Sequence, residues 1–225
     1  MMYILLFFSS LFFQSDVDKG KALFQAKKYD EAIICLKKAL IADSNNLEIN
    51  ELLADVYGHQ MKWDQSIFYY RKIIELSPKT ANFYYKYGAA MGLKAKAVSK
   101  FKALGMIDDI KLAFETAAKL DHSHIDTRWA LVMFYVELPG IFGGSEKKAL
   151  AYAKELMALS KVDGLMAKGH IEEYFERYEK AEKNYKSAHD IGQSKTTFKK
   201  LYNLYLNKLK DKIKAQELYN TYYKK

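Results

Sequence analysis

The sequence has few of the residues that cross-link a chain or end its helices. Its 225 residues include one cysteine, Cys35, and only two prolines, Pro78 and Pro139. A single cysteine excludes an internal disulfide, and proline is the residue that most often ends a helix. Half of the residues are hydrophobic, which is enough for a sizeable core. Because Ala, Leu, Lys and Glu recur throughout, we expect an all-α protein with long helices.

The sequence also lacks the motifs of common enzymes. No Ser, Cys or His stands in a recognisable nucleophile motif, and the glycine-rich stretch 139–145 does not end like a phosphate-binding loop. His122 and His124 lie between Asp121 and Asp126, a set that suits zinc; the alternative is a polar turn between two helices. We therefore predict no enzyme activity, no cofactor and no metal site, with metal binding near His122 as the alternative.

Positive charge is concentrated at the end of the chain. Residues 195–225 carry nine lysines against Asp211 and Glu217, a net charge of +7 out of +9 for the whole sequence. Together with its tyrosines, such a segment suits nucleic acid, acidic lipid headgroups or an acidic protein patch, or it is a plain solvated end of the fold. Because an exported protein does not meet nucleic acid, we predict no nucleic-acid partner.

The first fifteen residues contain no charge and carry an apolar run over residues 4–13. This run is about half the roughly 20 residues that a membrane-spanning helix needs. Residues 1–15 therefore predict a signal peptide, without a lipid-bearing cysteine, and a periplasmic or secreted location. No basic residue precedes the run and no small-x-small cleavage pattern follows it, so a cytoplasmic location is the alternative.

A 34-residue repeat organises the rest of the chain. Two sets of residues align at this spacing without a gap: Tyr29, Ala32, Leu36, Ala39 and Ser44 with Trp63, Ser66, Tyr70, Ile73 and Pro78. Small residues allow two helices to approach closely, and aromatic residues fill the groove beside them. Gly20 and Ala54 occupy the small position that precedes each set. This pattern resembles the tetratricopeptide repeat (TPR) family.

The resemblance implies an all-α, TPR-like right-handed superhelix, or α-solenoid, over residues 16–225. We expect about six helix pairs, since one pair cannot bury its own apolar face. Their approximate bounds are 16–46, 47–80, 81–122, 125–161, 162–193 and 196–225. In the third pair we predict a lengthened helix over Leu93–Leu104, ended by Gly105, and Asp108 as the cap of the next helix. In the fourth we predict a loop over 138–145, with Ser145 capping the helix that follows; Phe142 in this loop either fills the edge of the stack or contacts a partner.

The resemblance also implies that the first helices of the pairs form a concave groove that binds a protein or peptide. The predicted partner-binding residues in this groove are Glu51, Asp55, His59, Tyr85, Trp129, Met133, His170 and Tyr174. They are mixed, aromatic and locally acidic. We therefore expect an extended segment with basic or aromatic side chains as the ligand, held by a non-enzymatic interaction scaffold.

One branch of the family clamps the carboxylate end of chaperone tails with lysine and asparagine. The corresponding positions here hold Val17, Lys21, Leu52 and Asp55. Only Lys21 matches, and a carboxylate at Asp55 repels another carboxylate. The acidic C-terminal tail of a chaperone is therefore not the expected partner.

The alternative function is that of a membrane-surface adaptor. Residues 94–104 read as a basic amphipathic helix, with lysines beside Val98, Phe101 and Leu104. Such a helix, together with the lysine-rich end of the chain, is typical of peripheral membrane contact. An ordinary solvated helix face is the other interpretation of the same pattern.

Overall fold

The computed structural model describes residues 16–223. The predicted signal peptide over residues 1–15 lies outside the described residues. The chain divides into two compact units, unit 1 ending at His122 and unit 2 beginning at Ser123.

Unit 1 consists of three helix pairs, with a short additional helix in the third. Successive helices contact each other, α2 with α3, α3 with α4, α4 with α5, and α5 with both α6 and α7. The bounds are 16–25 for α1, Tyr29–Ala42 for α2, Leu47–His59 for α3, Trp63–Leu76 for α4, Ala81–Ala97 for α5, Lys100–Leu104 for α6 and Ile107–Leu120 for α7.

Unit 2 also consists of three helix pairs. Its bounds are Ile125–Glu137 for α8, Glu146–Leu159 for α9, Lys161–Tyr174 for α10, Tyr178–Gly192 for α11, Lys195–Asn203 for α12 and Lys212–Tyr223 for α13. A short 3-10 helix, Gly140–Phe142, precedes α9, and a π-helix, Leu204–Leu209, follows α12 directly. Each helix from α8 to α12 contacts the next one, and α12 also contacts α13.

The predicted register is confirmed where the repeat is regular. Tyr29, Trp63 and Tyr178 are the first residues of α2, α4 and α11. Two residues before each of these helices, and before α13, the backbone is left-handed, with φ between 57° and 59° at Lys27, Met61, Glu176 and Lys210. The tight turn of these pairs thus uses the same backbone conformation each time, without glycine.

The predicted close approach of paired helices is also observed. A Cβ atom built on Gly20 would lie 2.7 Å from Leu36, and one built on Gly169 would lie 2.4 Å from the Tyr185 ring. At these distances the two groups overlap, so only glycine permits the observed packing. The small residues at the start of the repeat pattern are therefore packing residues.

Each unit has its own apolar core. In unit 1 the alternating helices bury residues such as Leu36, Leu53 and Ile73, which are fully inaccessible to solvent. In unit 2, Tyr185 and Leu204 belong to one core cluster that spans α10 to α13. Burial of this kind, repeated from one pair to the next, is what holds a stacked-repeat fold together.

The prediction of one lengthened helix over residues 93–104 is wrong. Helix α5 ends at Ala97, Val98 and Ser99 have extended backbones, and α6 is a separate helix of five residues. The basic amphipathic helix predicted over 94–104 is therefore broken in the middle. Asp108 is not a cap either, since it lies inside the first turn of α7 and Met106 occupies the cap position without a side-chain hydrogen bond.

The loop between α8 and α9 agrees with its prediction. The Ser145 hydroxyl accepts a hydrogen bond from the backbone N–H of Lys148 and so caps α9. Gly143 has a φ of 98°, a conformation that favours glycine. Phe142 is 40% exposed, so it is only partly covered by the rest of the protein.

Candidate functional site

An open pocket of about 330 Å³ lies between α3, α4 and α5 of unit 1. Helix α3 contributes the small residue Gly58, and α5 contributes Ala89 and Ala90. The pocket exists because these neighbouring positions carry small side chains. The complete set of lining residues is Asp55, Gly58, His59, Trp63, Ser66, Tyr70, Tyr85, Lys86, Ala89, Ala90 and Leu93. Three of the predicted groove residues, Asp55, His59 and Tyr85, therefore meet in one place.

The polar wall of this pocket is an ion-pair network. The Lys86 ammonium lies 2.8 Å from Glu51 Oε1 and 2.9 Å from Asp55 Oδ2. The hydroxyl of Tyr70, which is buried, donates a hydrogen bond to Asp55. The two predicted acidic residues thus share one cation, and the network carries a net charge of −1 rather than −2.

The pKa values of the network follow from this arrangement. Burial lowers the pKa of the Lys86 ammonium, but its hydrogen bonds to Glu51 and Asp55 outweigh burial and leave the pKa above its ordinary value. Burial, followed by the Asp55 charge, raises the pKa of Tyr70 far above its ordinary range. At neutral pH, Lys86 is therefore charged and Tyr70 is a neutral donor.

Aromatic side chains surround the mouth of the pocket. The exposed His59 ring stacks on Tyr29 with 5.7 Å between centroids and meets the edge of Phe24 at 5.2 Å. Tyr85 lies 6.3 Å from Phe114, which fixes its ring from the other side. Contacts of this geometry are favourable, so two lining residues of the pocket, His59 and Tyr85, are packed against neighbouring rings.

The predicted groove residues of unit 2 lie on α8 and α10, two helices that contact each other. Trp129 donates its indole N–H to Asp163 at 2.8 Å and packs on the core of the unit. Met133 is half-buried one turn further along α8, and Tyr174 near the end of α10 is 47% exposed. Of these residues, Trp129 has a clear packing role in the unit itself.

His170 lies one turn before Tyr174 on α10. Its Nε2 atom is buried and has no hydrogen-bond partner among residues 16–223. Burial and then the charge of Lys200 lower the pKa of the His170 imidazole, against the opposing charges of Glu173 and Glu137. His170 is therefore mostly neutral at pH 7.

The positions that correspond to the chaperone-tail clamp are already occupied by internal contacts. Val17 is 2% exposed and belongs to the core. Lys21 forms a 2.5 Å ion pair with Glu48, and Asp55 belongs to the Lys86 network described above. The exclusion of an acidic chaperone tail as the partner stays a prediction.

Several residues of the pocket were not predicted from the sequence. Lys86 is the most important, because it neutralises Asp55 from a position 31 residues further along the chain. Trp63 and Ser66 were interpreted only as residues between the paired helices, yet they also line the pocket. Lys86 directly follows the predicted groove residue Tyr85, but it lies 31 residues from Asp55 and 35 from Glu51 in the sequence, so no local signal pointed to this contact.

The turn around His122 connects α7 and α8. His124 is the cap of α8, where Nδ1 accepts a hydrogen bond from the backbone N–H of Thr127. Within residues 16–223, no three His, Cys, Asp or Glu side chains lie close enough together to hold a metal ion. No helix in the same part of the chain is long and apolar enough to cross a membrane.

No protein-family model matches the sequence, and no curated protein matches it significantly. Solved structures do match. A thermophilic TPR protein of Thermus thermophilus aligns with a TM-score of 0.67 and 15% identity, over 86% of this chain and 99% of the other. A tetratricopeptide repeat protein from Parabacteroides merdae aligns with a TM-score of 0.69 and 11% identity, over 95% of this chain and 80% of the other. YrrB, described as a TPR protein with an unusual peptide-binding site, aligns with a TM-score of 0.56 and 16% identity, over 81% of this chain and 87% of the other. The chain therefore has the α-solenoid fold of tetratricopeptide repeat proteins.

Proposed function

We propose that this protein is a non-enzymatic interaction scaffold that binds a polypeptide segment of a partner protein. The observation that carries the proposal is the open pocket in unit 1, where Asp55, His59 and Tyr85 converge. Its volume of about 330 Å³ is at the lower end of the range for ligand sites. A pocket of this size accepts one or two side chains of a bound segment.

The chemistry of the pocket favours an apolar or aromatic side chain. All three donor positions of the Lys86 ammonium are used, by one oxygen of Glu51 and both oxygens of Asp55. The Lys86 ammonium therefore has no free donor for a ligand, while Leu93, Ala89 and Trp63 offer apolar surface. The net negative charge of the network repels an anionic side chain, and a cationic one finds both Asp55 oxygens and one Glu51 oxygen already paired with Lys86. The aromatic part of the sequence-based expectation is thus favoured over the basic part.

The similarity to YrrB supports this proposal at the level of fold. YrrB is described as having a peptide-binding site, and stacked helix pairs provide long surfaces that suit extended ligands. At 16% identity the similarity shows a shared fold and does not identify a ligand. The ligand of the present protein has to be found by experiment.

Selection from a random peptide display library tests the proposal. We expect selected peptides to be enriched in Phe, Tyr, Trp or Leu at one position, and their affinity is measured by fluorescence polarisation. Ala89→Trp fills the pocket and should abolish binding. The control is Ala97→Trp, at an exposed position at the end of the same helix, which should leave binding unchanged. If no peptide is enriched, or if both variants bind equally well, the proposal is wrong.

We further propose that the protein acts in the periplasm or is secreted, on the basis of the apolar run in residues 1–15. N-terminal sequencing of the protein from its native source tests this proposal. Removal of about the first fifteen residues, together with release of the protein by osmotic shock or into the medium, is the expected result. An intact first residue in a cytoplasmic fraction would contradict it.

A second candidate function is contact with an anionic membrane surface. Residues 76–107 contain six lysines and no acidic residue, and Phe101 of the short helix α6 is 87% exposed between two of them. An exposed ring flanked by lysines suits an acidic lipid interface. Flotation with phosphatidylglycerol vesicles should show salt-sensitive binding that Phe101→Ser weakens. Absence of binding to these vesicles at low salt would remove this candidate.

A further inference from the structure

Three large apolar side chains occupy the same repeat position on the outer helices of unit 1. Ile34 on α2, Phe68 on α4 and Leu112 on α7 each lie five residues after the first residue of the helix. They are 68%, 62% and 62% exposed. We call these three residues the outer stripe. Their side chains contribute little to the core, although the rest of each helix is packed on it.

The outer stripe is a property of unit 1 and not a requirement of the fold. The same repeat position in unit 2 holds Ala151 on α9, Lys183 on α11 and Glu217 on α13. Small or charged residues thus satisfy this position when it faces solvent. Large apolar side chains that share one exposed position in three successive pairs indicate a contact surface.

An acidic band lies on one side of the outer stripe. Asp30, Asp64 and Asp108 each precede a stripe residue by four positions, which places them one turn away on the same face. Their side chains are 84%, 78% and 92% exposed. Each has a lysine nearby in the same chain, but exposed pairs of this kind are weak. The carboxylates can therefore accept a second cation.

A basic band lies on the other side, on α2 and α4. Lys37 and Lys38 lie three and four residues after Ile34. Arg71 and Lys72 lie at the same distances after Phe68. The Lys38 side chain is 67% exposed. The Lys72 ammonium contacts the Ser44 carbonyl beyond the end of α2, so this part of α4 lies close to the end of α2. The equivalent place on α7 holds Glu115 and Thr116, so the band is limited to two helices.

We propose that this face of unit 1 binds the same face of a second copy of the protein. A twofold axis along the outer stripe superposes the two stripes and reverses the direction of the helices. Asp30 and Asp64 of one copy then face the basic band of the other, whereas Asp108 faces Thr116 beside Glu115. A twofold axis across the stripe would instead place aspartates opposite aspartates. The pattern of charges thus selects one dimer.

The acidic band argues against a membrane as the occupant, because it repels anionic lipid. A second copy matches the apolar centre on all three helices and the acidic and basic sides on α2 and α4. The interface is independent of the pocket, which lies on residues of α3, α4 and α5 that are not part of the stripe or of its bands. The dimer can therefore be tested whatever the outcome for peptide binding.

Sedimentation equilibrium of the full chain, with reductant present because Cys35 is free, tests the proposal. The wild type should show a reversible monomer–dimer equilibrium. Phe68→Glu places a charge at the centre of the interface and should raise the dissociation constant by at least about tenfold, equivalent to about 1.4 kcal/mol. The matched control is Ile141→Glu, because Ile141 is 87% exposed but lies in unit 2; this variant should dimerise like the wild type.

A charge exchange on α4 tests the orientation of the dimer. Asp64→Arg and Arg71→Asp should each weaken association, and the double variant should restore it. Circular dichroism checks that the substitutions at these exposed positions leave the helices intact. A wild type that stays monomeric at every concentration, or a dimer unaffected by Phe68→Glu, overturns the proposal. Association through any other part of the chain would give the second result.

Discussion

At the scale of single residues, a tyrosine from a second helix repeatedly anchors a carboxylate from a first helix. Tyr70 donates to Asp55 in unit 1, and Tyr185 donates to Glu173 at 2.7 Å in unit 2. A lysine of the next first helix also reaches each carboxylate, Lys86 in the first case. Neighbouring pairs are thereby joined by a charged contact in addition to apolar packing. Because this tyrosine–carboxylate hydrogen bond occurs in both units, we assign it a structural role.

Tyr185→Phe should destabilise the protein more than Tyr70→Phe. Both substitutions keep the ring and remove the hydroxyl donor. Glu173 then retains only Lys200 at 3.9 Å, whereas Asp55 retains Lys86 at 2.9 Å. We expect a loss of about 1–2 kcal/mol for Tyr185→Phe and less for Tyr70→Phe, measured by urea unfolding. Equal losses would show that the remaining lysine does not matter.

Stability should fall at alkaline pH because of the same tyrosines. Burial raises the pKa of Tyr70 and Tyr185 in the folded state far above the ordinary value of 10.0. Below pH 10 the two tyrosines are protonated in both the folded and the unfolded chain, and they do not change the free energy of unfolding. Above pH 10, the unfolded chain loses protons that the folded chain keeps, so the free energy of unfolding drops by about 1.4 kcal/mol per pH unit for each tyrosine. The raised pKa of Lys86 acts in the same direction.

Urea unfolding at a series of pH values measures this slope. The variant that carries both Tyr70→Phe and Tyr185→Phe serves as the control and should show a shallower decline above pH 10. A decline that is equally steep in the control would assign the effect to other groups.

The residues of the candidate site could be predicted only in part. The repeat register placed Asp55, His59 and Tyr85 on the first helices, and they do line one pocket. It did not predict that Lys86 cancels much of the acidic charge, because that contact depends on how the Lys86 side chain of α5 reaches Glu51 and Asp55 of α3. Nor did it predict that the indole N–H of Trp129 binds Asp163, 34 residues away. Spacing identifies a face, whereas hydrogen-bond partners across helices require the packed structure.

At the scale of helices, the glycines divide into those that packing requires and those that it does not. A Cβ atom at Gly169 of α10 would overlap the buried Tyr185 ring at 2.4 Å, whereas one at Gly92 of α5 would meet nothing within 4 Å. Both residues lie inside helices, where alanine is intrinsically better by about 1 kcal/mol. The local packing therefore decides the sign of a substitution.

Gly169→Ala should destabilise the protein by about 1–3 kcal/mol, since the added methyl group forces the helices apart. Gly92→Ala should stabilise it by up to about 1 kcal/mol through helix propensity alone. Thermal unfolding followed by circular dichroism measures both. If the two variants shifted the melting temperature in the same direction, close packing at Gly169 would not be limiting.

The helices themselves were largely predictable, and the exceptions have identifiable causes. Aromatic residues at the start of α2, α4 and α11 recur at fixed positions because they fill the groove between paired helices. The break between α5 and α6 was missed because residues 97–99, Ala-Val-Ser, contain no glycine or proline. Val98 and Ser99 adopt extended backbones there in spite of their neighbours' helix propensity. A β-branched residue followed by serine is a weaker helix-ending signal than glycine or proline, so the break was not predicted.

At the scale of the whole molecule, stability should be distributed along the chain. In a stacked-repeat protein each helix pair contacts only its neighbours, so local perturbations spread a short distance. Helix α10 contacts α8, α9 and α11, and α11 contacts α12. A substitution in α10 should consequently affect these helices first, and the remote end of the chain should respond little.

Hydrogen exchange of Gly169→Ala, followed by mass spectrometry, tests this locality. We expect faster exchange in α9 to α12 of the variant, because subglobal opening of that region becomes easier. Exchange in α2 to α4 should match that of the wild type. Gly92→Ala is the matched control and should slow exchange in α5 without affecting α10. If instead all helices of Gly169→Ala exchanged faster by the same factor, the chain would open as one cooperative unit, and the nearest-neighbour description of its stability would be wrong.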